Sequence, residues 1–135
     1  MSIQHVNPDT LFKLPGLSHV VVAPAGRLAF IAGQTARDRD MNLVGGDDLF
    51  SQAAQAFRNL KAALAAVGAE PKDVVSSNMY VVGLDSKAME AIVSAMNQAL
   101  DGAPFPPNAS TLVGVQRLGS PEILVEISAI ASIPD

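Results

Sequence analysis

The closing run EILVEISAIASI, Glu122 to Ile133, constrains the fold more than any other stretch of the chain. Taken in steps of two, Ile123, Val125, Ile127, Ala129, Ala131 and Ile133 form an unbroken apolar row. The alternate residues Glu122, Leu124, Glu126, Ser128, Ile130 and Ser132 mix polar with apolar. Successive side chains of a strand point to opposite faces, so the first row suits a helix-covered core. A mixed second face is rarely left bare. Packing it against copies of the same chain in a closed ring covers it and puts its polar groups at the seams between subunits.

Other period changes place the remaining elements. Leu17 to Ala23 and Arg27 to Ala32 are β-rich runs separated by Pro24, Ala25 and Gly26, which reads as a hairpin. The second run is apolar on both parities, which predicts a central strand covered on both faces. After Gly45 and Gly46, the residues Leu49, Ala53, Ala56, Phe57, Leu60, Leu64 and Val67 recur at spacings of three and four. Gln52, Gln55, Asn59 and Lys61 take the other faces, as in an amphipathic helix capped by Asp47 or Asp48 and closed by Gly68. Val74 to Val82 is a β-branched strand, and Asp85 or Ser86 opens a second helix with a stripe of Met89, Ile92, Val93, Met96 and Leu100. The DGAPFPP segment breaks it, and strands at Ser110–Leu118 and Glu122–Ile133 follow, joined at Gly119, Ser120 and Pro121. The predicted order is ββαβαββ, an α+β layer with two helices on one face of a mixed sheet.

Length and charge narrow the function classes. The chain has 135 residues, which suits a single domain spanning 1–135. Without cysteine it has no disulfide framework, thiolate metal site or cysteine nucleophile. Nine Lys and Arg, scattered, against thirteen Asp and Glu provide no basic stripe for a phosphate backbone, and aromatic stacking residues are few, so nucleic-acid binding is disfavoured. The start has no apolar core of signal-peptide length and no long apolar run follows, which points to a cytoplasmic protein without membrane association. An apolar fraction of 49% and a mean hydropathy of +0.28 are high for a small domain, and imply that some of its surface meets another subunit.

IAGQTA at Ile31 to Ala36, LVGGD at Leu43 to Asp47, FRNLKAALAAVGA within Gln52 to Ala69, DVV at Asp73, PPNAST before the penultimate strand and the closing LVEISAIA together resemble the RidA family, also called YjgF or, under an older name, endoribonuclease L-PSP. The match runs through nearly the whole chain in order. The resemblance implies a chorismate-mutase-like fold and a homotrimer with small-molecule clefts between subunits. In active members, which hydrolyse reactive enamines and imines, an arginine grips the substrate carboxylate and a glutamate in the last strand orients the attacking water. No metal or organic cofactor is needed.

By the same resemblance Glu126 takes the place of that glutamate, Gly33 lies in the turn that presents backbone to the ligand, and Ser110 and Thr111 keep the hydroxyl pair. The arginine position is Ala109, the position of a frequent tyrosine is Leu17, and an asparagine of the second helix falls at Ala91 or Val93. Arg117 shares the strand parity of Ala109 but lies roughly 26 Å along the same strand, beyond reach within one subunit. Arg37, just after the GQTA turn and closer in sequence to Gly33, is one candidate replacement cation and a residue of a neighbouring subunit is the other; His19 borders the cleft. His5 and His19 have no cluster of partner ligands that would hold a metal.

A turn with backbone donors, hydroxyls and a carboxylate but no anionic clamp suits a neutral, less polar or cationic ligand better than an amino-acid-derived imine. Two readings follow: an imine or enamine hydrolase of atypical range using Glu126, or a non-catalytic sensor or protein-interaction member of the same family. A ribonuclease fits poorly, because the acidic chain has neither a basic groove nor a catalytic histidine pair.

Overall fold

The computed structural model describes residues 2–24, 26–102, 105 and 107–135. Ala25 of the expected hairpin turn, and Ala103, Pro104 and Pro106 of the DGAPFPP break, lie outside the described residues. The elements are β1 (Gln4–Val6), β2 (Val20–Val22), β3 (Leu28–Gln34), α1 (Leu49–Ala65), β4 (Val74–Val82), α2 (Ser86–Ala99), β5 (Ala109–Val115) and β6 (Val125–Ser132). This is the α+β arrangement expected, with one short strand, β1, in front of the predicted order.

Helix α1 forms where its apolar spacing requires. Ala53, Ala56, Phe57, Leu60 and Leu64 are buried, and the Asp48 carboxylate caps the start by accepting from the Ser51 N–H at 3.0 Å. Gly68, at φ +77°, turns the chain out in a conformation that other residues resist. Val67 lies past the helix and is exposed, so the stripe ends at Leu64.

The polar side of α1 is not all at the surface. Gln52 is fully buried: its Nε2 donates to the carbonyls of Gly46 (2.7 Å) and Glu122 (2.9 Å), and its Oε1 accepts from the Leu124 N–H (2.9 Å). Asn59 donates to the carbonyls of Thr35 and Arg37. These amides bind the helix to backbone outside the regular strands.

Four strands form one sheet in the order β3-β6-β4-β5, in which β4 and β5 are parallel and the other pairs antiparallel. Two expectations fail here. Among the described residues β2 pairs with β1, and β3 with β6, so the two runs do not pair with each other as a hairpin. β3 is an edge strand, not a central one: Ala29 and Ile31 pack on the core, while Phe30 on the other parity is 74% exposed. An apolar strand of both parities is therefore covered on one face only in the single chain.

The last strand behaves as its parity predicts up to Ala131; at its end Ser132 is buried and Ile133 is partly exposed. Ile123, Val125, Ile127, Ala129 and Ala131 are buried toward the helices, and Leu124, Glu126, Ser128 and Ile130 are partly exposed on the outer face. In α2, capped by Asp85, the buried residues are Ala88, Ile92, Ala95 and Ala99, with Met96 packed at the margin. Val93 is exposed, so the buried stripe is rotated from the predicted one toward Ala88, Ala95 and Ala99, and α2 packs against α1. Among the described residues no helix is long and apolar enough to cross a membrane.

Candidate functional site

The outer face of the sheet is organised in rows by its register. Ala109, Ser76 and Ile130 are paired in one row, Thr111, Asn78 and Ser128 in the next, and Val113, Tyr80 and Glu126 in a third. Phe30 pairs with Ile130 and extends the first row onto β3. Between these strands is an open concavity of about 360 Å³ lined by Phe30, Ala32, Ser76, Asn78, Ser128 and Ile130.

Glycine at position 33 is explained by Glu126. From Ile31 to Gln34 strand β3 advances three residues while β6 advances two, from Ala129 to Ile127, so β3 bulges there. The Glu126 side chain lies over that bulge. A Cβ on Gly33 would stand 2.7 Å from the Glu126 Cδ and 2.9 Å from its Cγ, so only a bare backbone admits the carboxylate in this place. Among the described residues Glu126 has no ion pair and no side-chain hydrogen bond.

The other predicted residues divide. Ala109 and Thr111 share the outer face with Glu126, but Ser110 pairs with Ser77 in the row of buried Ala129, which places it on the helix side. Leu17 bridges Asn108 next to Ala109, and the Ser18 N–H donates to the Asn108 carbonyl, so the segment through Leu17 does border the turn. Ser77 donates to the Asn108 Oδ1 at 2.7 Å and fixes that turn from below. His19 is held within its own loop, its backbone N–H donating to Asn7 Oδ1 and its ring bonded to the Phe12 carbonyl, with the Phe12 ring edge-on to it. His5 Nδ1 is bonded to the buried Ser18 hydroxyl, which donates onward to the Pro107 carbonyl.

Among the described residues Arg37 makes no hydrogen bond or ion pair with Glu126. Its guanidinium donates to the Glu122 carboxylate at 2.6 Å and to the Met41 carbonyl, and this bond holds the Glu122 carboxyl below its usual range. Ala91 and Val93 lie on α2, across the sheet from the outer face. One residue that sequence reading missed is Tyr80, the only tyrosine, which the β4–β6 register sets opposite Glu126. Its parity in a β-branched strand was visible in the sequence, but its partner was not.

The endoribonuclease L-PSP family model matches residues 13–133. A curated relative, the protein DfrA of Myxococcus xanthus, is 35% identical over 133 residues, covering 97% of this chain and 96% of the relative. Among solved structures, a Rid-family protein of unknown function from Yersinia pestis, YyfB, is 39% identical with a TM-score of 0.85, covering 98% of this chain and all of that one. A YjgF-family protein of Mycobacterium tuberculosis is 28% identical with a TM-score of 0.62 over 98% of this chain and 100% of its own.

Proposed function

This chain belongs to the endoribonuclease L-PSP, or RidA/YjgF, family, and from that premise we propose that it is a homotrimer binding a small metabolite in clefts where the outer sheet faces of neighbouring subunits meet. The observation that carries the reading is Glu126, a carboxylate without a partner among the described residues, seated over the one glycine whose missing Cβ admits it. A group kept in place but unpaired is available to a ligand or to water.

In the hydrolytic form of this reading, Glu126 accepts a proton from water as its oxygen adds to a C=N carbon. The nitrogen takes up a proton, the C–N bond breaks, and ammonia leaves a carbonyl product. No step calls on a metal or cofactor. Ala109 favours a second reading, binding without turnover, since the family resemblance places the carboxylate-gripping arginine there and alanine offers no hydrogen bond.

One pair of substitutions separates them. Ala109→Arg is expected to confer hydrolysis of 2-aminoacrylate, followed by ammonia release, and Glu126→Ala in that background is expected to abolish it. If the arginine variant binds carboxylates yet releases no ammonia, the hydrolytic reading fails and the sensor reading stands. Light scattering reports the assembly: a mass of one chain in dilute solution would overturn the shared-cleft site altogether.

A further inference from the structure

Strands β3, β4, β5 and β6 contain no Lys, Arg, His or Asp, and Glu126 is their only charged residue. Of the nine Lys and Arg, Arg37 is paired with Glu122, Lys13 with Asp9 and Lys72 with Glu70; Arg58, Lys61 and Lys87 stand on the helices, and Arg27, Arg39 and Arg117 lie outside the four strands. The rows around Glu126 are neutral: Tyr80 and Val113 beside it, then Asn78, Ser128 and Thr111. A lone carboxylate on a neutral, partly apolar face loses hydration when that face is covered, and a positive charge with a hydrogen-bond donor compensates it best.

We infer that the ligand of this site is a small amine or iminium cation without a carboxylate, its charge held by Glu126 and its body laid against the ring of Tyr80. The inference rests on the outer face being the ligand face. It adds the sign of the ligand's charge and a residue that selects for it. Tyr80 and Glu126 are direct cross-strand partners, with Cβ atoms about 4.5–5.5 Å apart in such pairs; because the Glu126 carboxylate leans to the other side, over Gly33 of β3, a ligand with its charge at the carboxylate spans β6 to lay its body against the Tyr80 ring. An aromatic face attracts a cation and gives nothing to an anion. In the adjacent row, Asn78, Ser128 and Thr111 offer hydrogen bonds to a neutral polar group of the same ligand. An anionic ligand would meet like charge at Glu126 and no donor at Ala109.

Three probes of one shape and different charge test this: benzylamine, benzamide and benzoate, titrated into the full-length assembled protein at pH 7 and followed by amide shifts in NMR spectra. Benzylamine is expected to bind most tightly and benzoate least, with shifts at β4 and β6. Glu126→Gln should weaken benzylamine about five- to tenfold and leave benzamide within about twofold. Tyr80→Leu should weaken benzylamine about threefold while Tyr80→Phe keeps it, since the ring and not the hydroxyl meets the charge. Benzoate binding as tightly as benzylamine overturns the inference but leaves the ligand face in place. So does benzylamine binding that is indifferent to Glu126→Gln. An assembly that weakens on that substitution while benzylamine binding does not also overturns it, showing that a neighbouring subunit supplies the cation. If none of the probes shifts any outer-face amide, the ligand-face reading itself falls.

Discussion

Single residues carry two separable jobs in this chain. Gly33 has no structural duty on the helix side and matters through what it leaves room for, since any Cβ there enters the space of the Glu126 side chain. Because the obstructing atoms end a flexible side chain, Gly33→Ala should displace the carboxylate and leave the fold within about 1 kcal/mol of its stability. Benzylamine affinity should then drop about as far as in Glu126→Gln, while the melting curve barely moves. Gln52 is the opposite case. Replacing it by Leu strands the Leu124 N–H and the Gly46 and Glu122 carbonyls, and should cost about 2–4 kcal/mol in chemical denaturation without touching the outer face. A sequence shows a glutamine in a helix; only the folded chain shows that its amide bonds to backbone outside the regular strands.

At the scale of elements, the ends are electrostatic and the pairings are not. Asp48 at the start of α1 is held below the ordinary carboxylate range by bonds from the Ser51 hydroxyl and N–H, Asp38 by the Asn42 N–H and other bonds of its turn, and Glu122 by Arg37. In each case the folded value lies below the unfolded one. The contribution is therefore complete above the ordinary value and is lost as pH falls through it toward the lower folded value. Thermal melts should accordingly hold level from about pH 7 to pH 5 and decline below about pH 4. Asp48→Asn, which keeps a capping oxygen but no charge, should make that decline shallower. The helix termini and caps were legible beforehand because they depend on neighbours within a turn. Strand partners were not, since Val20–Val22 finds Gln4–Val6 and β6 inserts between β3 and β4 from far along the chain.

For the molecule as a whole, the outer sheet face is the surface that the proposed homotrimer would cover. Phe30 is 74% exposed and sits in the row with Ile130, Ser76 and Ala109, on the face whose mixed polarity implies a covering subunit. Phe30→Asp should leave the single chain folded, since it removes nothing from the helix-side core, and shift the light-scattering mass from three copies toward one. Loss of assembly together with loss of benzylamine binding would tie the cleft to the joint between subunits; binding retained by a single folded chain would detach them. The family reading was available from short motifs spread in order along the chain. The charge inventory of the site was not, because it needed the knowledge that four strands share one face and that Arg37 is committed elsewhere.

What the sequence determined alone was local. Period two in β6 decided which side chains enter the core, period three to four did so for α1, and Asp48 and Asp85 decided where helices begin. Those outcomes follow from backbone geometry over a few residues. Tertiary structure decided what depends on distant chain meeting distant chain: that β3 lies at an edge, that Thr111 and not Ser110 is on the outer face, that α2 buries its alanines, and that Tyr80 is paired with Glu126. Alternation tells a residue which face it shares with its own strand. It does not say which strand lies beside it, and that choice sets the charge a ligand will find there.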